Sequence, residues 1–380
     1  MIREEKMGYQ YWSHETLHKL CTEAFLKFGF SERDTSIITD VLLTSDFNGV
    51  ESHGVQRLAR YHQNIKKGII RVDAKAETVF ETPVSAVIDG HDGMGQVIAY
   101  NAMKLAIEKA EKSGIAMVTV RNSNHYGIAG YYAKMAAKEG LMGISCTNTN
   151  PIMVPTHGKR AMLGTNPIGI AIPAEPYDFY FDSSTTVVTR GKLEVYNKLG
   201  YPMPSCWAVD EKGQGCSDAG RVLANIAAHR GGGILPLGGD NETTGGHKGY
   251  GWAMVCEIFS SIISMGTTSN ETGKDGRGQI SHGFAAINPA IFGDAEAIKK
   301  HLSDYLEKLR TSPLADGAER IYTHGEKEAL AGDRIIKDGI PVNDNTMIEI
   351  MDLCTDIGLD FSEYFGDYTP PESGFKGNPI

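Results

Sequence analysis

The sequence predicts a mixed α/β protein with two lobes, one helical and one built on a sheet. Three observations carry this. The chain has 380 residues, more than one typical domain uses, and 41% of them are hydrophobic, enough for a sizeable core. Helix-period apolar patterns fill roughly the first seventy residues. From Thr78 onward the period changes, and short β-branched runs alternate with helical stretches, as in an α/β or mixed α+β lobe. The expected division is a helical lobe over residues 1–75, joined by C-terminal helices from about 290 to 380, and a sheet lobe over 76–290.

After a polar tail, Ser13 is positioned to cap a helix to about Lys27, with Leu17, Leu20, Ala24 and Phe25 as its apolar stripe. Ser31, with Asp34 three residues on, resembles a capping box and starts a second helix that stops before Gly49. A third runs from Gly54 or Val55 to Gly68. Thr78–Phe80 and Ala86–Asp89 read as strands, Gly95–Lys112 as a helix, Ile115–Val120 as a buried strand, Tyr131–Lys138 as a helix and Met142–Cys146 as a strand. Further strands are expected at Ile168–Ile172, Phe179–Phe181 and Gly283–Ile287, and helices at Gly251–Ser264 and Glu296–Leu309. The stretches Tyr196–Gly233 and Thr267–Arg277 read as long surface excursions.

A formal charge of −10 argues against nucleic acid or an anionic membrane as partner, since a basic surface usually meets both. An anionic substrate would need a local cationic pocket. The start of the chain lacks the apolar core of a signal peptide, and the most apolar helical run, Gly251–Gly266, is interrupted by Glu257, so the expected location is the cytoplasm. The six cysteines have no C-x-x-C and no zinc-ribbon spacing and read as reduced thiols.

Ser52-His53-Gly54-Val55-Gln56-Arg57 sets a hydroxyl, an imidazole and a guanidinium within six residues. With a helix starting near Gly54, Arg57 falls about one turn along it. That suits a small carboxylate whose neighbouring hydroxyl exchanges a proton with His53; Ser52 as an N-cap and His53 as a surface residue is the structural alternative. Gly90-His91-Asp92-Gly93-Met94-Gly95 follows a strand and opens a helix, but the third glycine of a Rossmann fingerprint is missing and no acid ends the next strand. Gly245-Gly246-His247-Lys248-Gly249 fails as a P-loop, because Gly249 stands where Ser or Thr should bind magnesium, yet such a turn can still hold a ligand phosphate. His125 sits between polar residues where a strand hands over to a helix. The Asn-Pro turns Thr147–Pro151 and Gly164–Pro167 offer hydroxyls and amides, and Asp182 at another strand end could orient an imidazole. His53, His125, His157, His247 and Asp182 lack metal-ligand spacing, so no metal is expected.

Taken in order, these motifs resemble the malate/L-lactate dehydrogenase-like family: S-H-G-x-x-R at Ser52, H-Y-G at His125, T-N-T-N-P at Thr147, G-T-N-P at Gly164, D-S-S-T at Asp182, R-G-K at Arg190, L-P-L-G-G at Leu235, H-K-G-Y-G at His247 and H-G-E-K-E at His324. No single motif is decisive, but the shared order is specific and spans roughly residues 15 to 360. The resemblance implies a non-Rossmann, sulfolactate-dehydrogenase-like fold. It also implies NAD(P)-dependent hydride transfer at C2 of a small 2-hydroxy or 2-oxo acid, in a homodimer with active sites near the subunit interface. Carried over position by position, His125 and His53 are the acid/base candidates, with Ser52 and Asp182 as a possible relay. Arg57 and Tyr61 match substrate-binding positions, and Thr149, Ser183, Ser184, Thr185, Lys248, Gly325 and Glu326 match cofactor-binding ones. The leading expectation is (S)-malate with NAD, NADP remaining open; a cyclic-imine carboxylate reductase and a metal-dependent hydrolase or lyase are the alternatives. Ser183-Ser184 replaces the usual Met-Ala, and His324 replaces the usual Pro. Both changes bear on the cofactor pocket.

Overall fold

A computed structural model describes residues 8–371 of the chain. It begins with strand β1 (Tyr9–Trp12), helices α1 (His14–Lys27) and α2 (Glu32–Phe47), two 3-10 turns (Glu51–His53 and Val55–Arg57) and α3 (Leu58–Lys66). Ser13 Oγ accepts from Thr16 N at 3.0 Å and Ser31 Oγ from Asp34 N at 3.2 Å, so both expected caps form. Two expectations are corrected. The stretch before Ser13 contains a strand as well as polar residues, because Tyr9–Trp12 pairs antiparallel with Ile340–Asn343. The third helix begins at Leu58, which leaves Ser52-His53-Gly54 in the 3-10 turns ahead of it.

The reason for that late start is packing. Asp46, on the last turn of α2 and 4% exposed, turns its carboxylate toward Gly54, where it accepts Val55 N–H at 2.8 Å. A methyl group on Gly54 would lie 1.8 Å from Asp46 Oδ1, so only glycine fits there. Burial holds the Asp46 carboxyl well above its ordinary pKa.

The chain continues with β2 (Glu77–Thr82), β3 (Ser85–Asp89), α4 (Gly95–Ser113), β4 (Ile115–Ser123), α5 (Ala129–Lys138), β5 (Met142–Thr147), β6 (Ile168–Ile172) and β7 (Phe179–Ser183). Next come α6 (Arg190–Leu199), β8 (Ala208–Val209), α7 (Ala219–Ala227), β9 (Gly233–Ile234), α8 (Gly246–Glu257) and β10 (Ile280–Ile287). The chain closes with α9 (Ala295–Arg310), α10 (Glu326–Asp338), β11 (Ile340–Asn343), α11 (Asp344–Ile357) and α12 (Ser362–Phe365). Seven strands form one mixed sheet in the order β2-β3-β4-β10-β5-β6-β7, in which β3–β4 is the one parallel pair among the described residues. A dinucleotide fold of the Rossmann type needs a mostly parallel sheet, so this architecture differs from it at the level of strand direction.

Close approach of α5 to the sheet positions the site. A methyl group on Gly143 of β5 would meet the Ala133 carbonyl at 2.2 Å, and one on Gly169 of β6 would meet Gly130 N at 2.6 Å. The helix therefore lies on both strands, and the segment entering it, which contains His125, is fixed against the sheet. A separate core packs α1–α3 with β1, β11, α11 and α12 through Leu17, Leu42, Leu58, Tyr61, Met347 and Ile350.

The stretch Tyr196–Gly233 is not a surface excursion. It contains α7 and the β8–β9 pair, and Leu193, Met203, Val222, Leu223 and Ile234 form a core of their own. Glycine-rich turns obscure this in the sequence, because its elements are too short to show a period. Thr267–Arg277 is irregular, but Ser269 and Thr272 in it are buried, which also departs from a surface loop. The expected helices at Tyr131 and Gly251 start earlier, at Ala129 and Gly246, and α8 runs on into a π-helical turn, Ile258–Ile262. No helix among the described residues is long and apolar enough to cross a membrane.

His282, in the central strand β10, is wholly buried. Its Nε2 meets Ser123 Oγ at 2.9 Å, its Nδ1 meets Thr147 Oγ1 at 2.8 Å, and its ring stacks on Tyr126 at 4.4 Å. Burial lowers its pKa to about 3. Below the unfolded value of about 6.5 the unfolded chain binds a proton that the folded one refuses, so stability falls as pH falls. The expected loss from this residue is about 1.4 kcal/mol per pH unit until the folded pKa is reached. Urea unfolding of wild type and His282→Gln between pH 7 and pH 4 measures it; equal slopes would show that His282 contributes nothing. Gly54→Ala is expected to cost about 1–3 kcal/mol by overpacking against Asp46, read from the same denaturation curves.

Candidate active site

Residues from three segments meet beside the start of α3. His53 Nδ1 lies 2.9 Å from Ser52 Oγ, and its ring stacks on that of His125 with centroids 5.4 Å apart. Tyr61, 1% exposed, sets its hydroxyl 2.7 Å from His125 Nδ1. Arg57 donates through Nε to the Ser52 carbonyl at 2.6 Å, which fixes the guanidinium plane and leaves its two terminal nitrogens to point elsewhere. Arg57 and Tyr61 are four residues apart and so share a helix face. The sequence motif thus folds into one constellation with His125, some seventy positions away in the chain.

Electrostatics in this cleft disfavour cationic imidazoles. Burial first, then the charges of Arg57 and Arg60, lower His53 to about 3. Burial, His53, Arg57 and Arg60 hold His125 well below its ordinary value. Both rings are partly buried, and protein surrounds them on enough sides for desolvation to dominate. Tyr61 is pushed up to about 12, chiefly by burial, and stays a neutral phenol. The imidazoles are therefore neutral at pH 7, a departure from groups poised at an unperturbed value near 6.5.

Asp182, at the end of β7, accepts the Gly130 N–H at 2.8 Å, at the start of α5. Burial raises its pKa to about 6, against that hydrogen bond, and Glu328 adds to the rise. Among the described residues it makes no hydrogen bond to Ser52 or His53. Asp182 thus sits behind the His125 segment rather than in a direct line with Ser52.

The cofactor candidates fall into two groups. Thr165 N donates to Thr149 Oγ1 at 3.1 Å, Thr185 N to Thr165 O at 2.9 Å, and Leu237 N to Thr185 O at 2.9 Å. A methyl group on Gly249 would in turn lie 2.3 Å from the Leu237 carbonyl. Thr149, Ser183-Ser184-Thr185 and the first turn of α8 are thereby drawn into one row. Lys248 is exposed on that turn; its backbone N–H donates to the Gly245 carbonyl at 2.9 Å, and its ammonium has no hydrogen bond or ion pair among the described residues. Gly238, Gly239 and Gly245 before it hold φ near +90°, at 92°, 91° and 87°. A glycine turn, a helix N-terminus and an unpaired lysine fit a dinucleotide's phosphates. The second group lies at the other end of β7. Gly325, φ 100°, packs against the Asp178 carbonyl, and Glu326, wholly buried, is engaged by Arg320 and by Thr323 N at 3.4 Å. Glu326 closes its own turn.

Several residues of the site carried little or no sequence signal. Asp46 and Arg60 stand in ordinary helical patterns. Gln96, wholly buried in the first turn of α4, approaches the Tyr61 hydroxyl without full hydrogen-bond geometry, so both ends of its amide are unpaired. It belongs to the glycine turn that fails the Rossmann test, where its side chain escapes notice. Glu257 did leave a signal, as the lone charge in an apolar run, which foretells a buried and well-partnered carboxylate. Among the described residues no three His, Cys, Asp or Glu side chains converge as a metal site requires.

With this geometry in place, similarity to known proteins is extensive. The profile of the family described as malate/L-lactate dehydrogenase matches residues 12–351. The chain is 42% identical to malate dehydrogenase from Pyrococcus abyssi over 91% of its own length and 94% of the relative's. It is 36% identical to L-sulfolactate dehydrogenase from Methanocaldococcus jannaschii over 92% and 98%. The crystal structure of malate dehydrogenase from Entamoeba histolytica superposes with a TM-score of 0.90 at 35% identity, covering 93% of this chain and 99% of that one. The mixed sheet and the ordered motifs therefore have one explanation: the chain belongs to the malate/L-lactate dehydrogenase family of NAD(P)-dependent oxidoreductases, which act on the CH–OH group of 2-hydroxy acids.

Proposed function

We propose that this enzyme interconverts (S)-malate and oxaloacetate with NAD, His125 exchanging the hydroxyl proton and Arg57 holding the C1 carboxylate. The observation that carries this reading is the Tyr61–His125 contact of 2.7 Å on the face of α3 that also carries Arg57. Arg57, its Nε held by Ser52, offers its terminal nitrogens as a fork to a carboxylate. Such a clamp sets C2 beside the imidazole. Because Nδ1 of His125 is engaged by Tyr61, the other ring nitrogen is the one that meets substrate. The phenol both donates and accepts, so it serves either tautomer and steadies Nδ1–H once the ring has taken the proton. His53, held by Ser52, is the second acid/base candidate, and Asp182 steadies the start of α5.

Bound NAD supplies the hydride acceptor. Thr149, Ser183, Ser184, Thr185 and Lys248 would hold it, Lys248 at the phosphates; Gly325 and Glu326 would support the pocket from behind. The division into a helical lobe and a sheet lobe near residues 75 and 290 belongs to this proposal. So does the homodimer. Trp252, Phe259, Ile262, Ile263 and Met265 expose apolar surface along α8, its π-helical extension and the turn that follows, from 43% to 82% each, and a second copy would cover it.

A panel of 2-hydroxy and 2-oxo acids with NAD(H) and NADP(H), with piperideine-2-carboxylate as the imine arm, tests the reading; reduction of the imine in preference to oxaloacetate would replace it. His125→Ala is expected to lower kcat by about 100- to 10,000-fold. Arg57→Lys should mainly raise KM, because a point charge does not replace a planar fork. If His53→Ala abolished turnover while His125→Ala retained it, the two histidines would exchange roles. The pH profile has a definite sign. The free enzyme's base is neutral down to below pH 6.5, so the acid limb of kcat/KM for malate oxidation should lie below that value. Bound carboxylate offsets the Arg57 charge, so the limb in kcat should lie at higher pH. Coincident limbs above pH 7 would contradict the assignment.

A further inference from the structure

Three residues beyond Arg57, and therefore on the same face of α3, stands a second arginine. Arg60 is exposed, adjoins Tyr61, and forms no hydrogen bond or ion pair among the described residues. Its surroundings are cationic. The segment entering α6 packs on the motif, since a methyl group on Gly191 would touch Ser52 Cβ at 3.4 Å, and this brings Arg190 beside the site. One acid lies close, Glu194, and Arg190 Nε already holds it at 2.9 Å. Desolvation first, then the charges of Arg57 and Arg190, lower the Arg60 pKa to about 10, with Glu194 opposing. Among the described residues no carboxylate pairs with Arg57 or Arg60, which leaves positive charge uncompensated in a chain whose formal charge is −10. The C1 carboxylate at Arg57 removes only part of it.

We infer that Arg60 selects substrates with a second acid group, binding that distal oxyanion while Arg57 binds the C1 carboxylate. The inference rests on the 2-hydroxy acid reading above and deepens it. A substrate with a methyl group at C3, such as lactate, would leave Arg60 facing water; a distal carboxylate or sulfonate would meet it. Like charges at Arg57 and Arg60 repel one another, and a dianion relieves that repulsion twice where a monoanion relieves it once. Arg60 is a binding and positioning residue, with no proton to exchange in the reaction.

The test compares kcat/KM for (S)-malate and for 3-sulfolactate with that for (S)-lactate, in wild type, Arg60→Gln and Arg57→Gln, with the full-length enzyme and NAD. Arg60→Gln is expected to lower the malate-to-lactate ratio on the order of 10- to 100-fold, mostly through KM, as for loss of a hydrogen bond to a charged group. Arg60→Lys should restore part of it. Arg57→Gln should depress both substrates and move the ratio far less. A fall in the sulfolactate ratio alone would assign the distal group as a sulfonate, and a fall in the malate ratio alone as a carboxylate; either supports the proposal. An unchanged ratio for both in Arg60→Gln, with an unchanged Tm, overturns it. Wild type that turns over none of the three acids with either nucleotide would overturn the 2-hydroxy acid reading itself and this inference with it, an outcome distinct from a normal enzyme with an unchanged ratio.

Discussion

Glu257 is 3% exposed, and among the described residues no cation pairs with it; instead its carboxylate accepts hydrogen bonds from Asn148 Nδ2, Asn166 Nδ2, Ser261 Oγ, and both Ser269 N and Ser269 Oγ, at 2.6 to 3.2 Å. A buried charge is tolerable only when its lone pairs are filled in this way. The donors come from four places in the chain: the Thr147–Pro151 turn, the Gly164–Pro167 turn, the π-helical end of α8, and the irregular segment before β10. Holding all four to one carboxylate fixes where the loops beyond β5 and before β6 stand relative to α8. The Thr149–Thr165–Thr185–Leu237 row of hydrogen bonds is laid out upon that frame.

A second buried carboxylate does the same for the acid/base side. Asp46 occupies the space that a side chain at Gly54 would need and takes the Val55 N–H, so the chain turns twice in 3-10 geometry before α3 begins. Those turns aim Ser52 and His53 toward His125 and place Arg57 at the end of the helix that carries Tyr61. Both halves of the site thus rest on backbone held by acids that never face the cleft. The histidines between them are neutral chiefly because they are buried, and the neighbouring arginine charges add to the effect.

This charge arrangement reconciles an acidic protein with an anionic substrate. Long-range repulsion from the net charge is weak beyond a Debye length of about 8 Å at physiological ionic strength, whereas in the proposed site Arg57 and Arg60 would act at contact. The same arginines that are proposed to attract the substrate add to the depression of the imidazoles, and a bound carboxylate would reverse part of it. Affinity and basicity are therefore linked through shared charges.

Much of the fold and site was legible in the chain. Capping serines at Ser13 and Ser31, the change of period at Thr78, and the helix and strand runs through Ile287 follow from local chemistry, which short segments carry within themselves. The ordered motifs named the family, and the S-H-G-x-x-R stretch pointed to the candidate site that the fold gathers around His125. Other features belong to contacts between distant segments, which no local pattern records. The strand Tyr9–Trp12 exists because Ile340–Asn343 comes to meet it. The core between α6 and α7 joins elements too short to show a period. Gly54 is a glycine because of Asp46, not because of its own backbone angles. Arg60 reads in sequence as one more surface arginine; its helical spacing sets it beside Arg57, but only the tertiary structure leaves it without a partner among the described residues and surrounds it with other charges, because what a side chain meets is decided by packing.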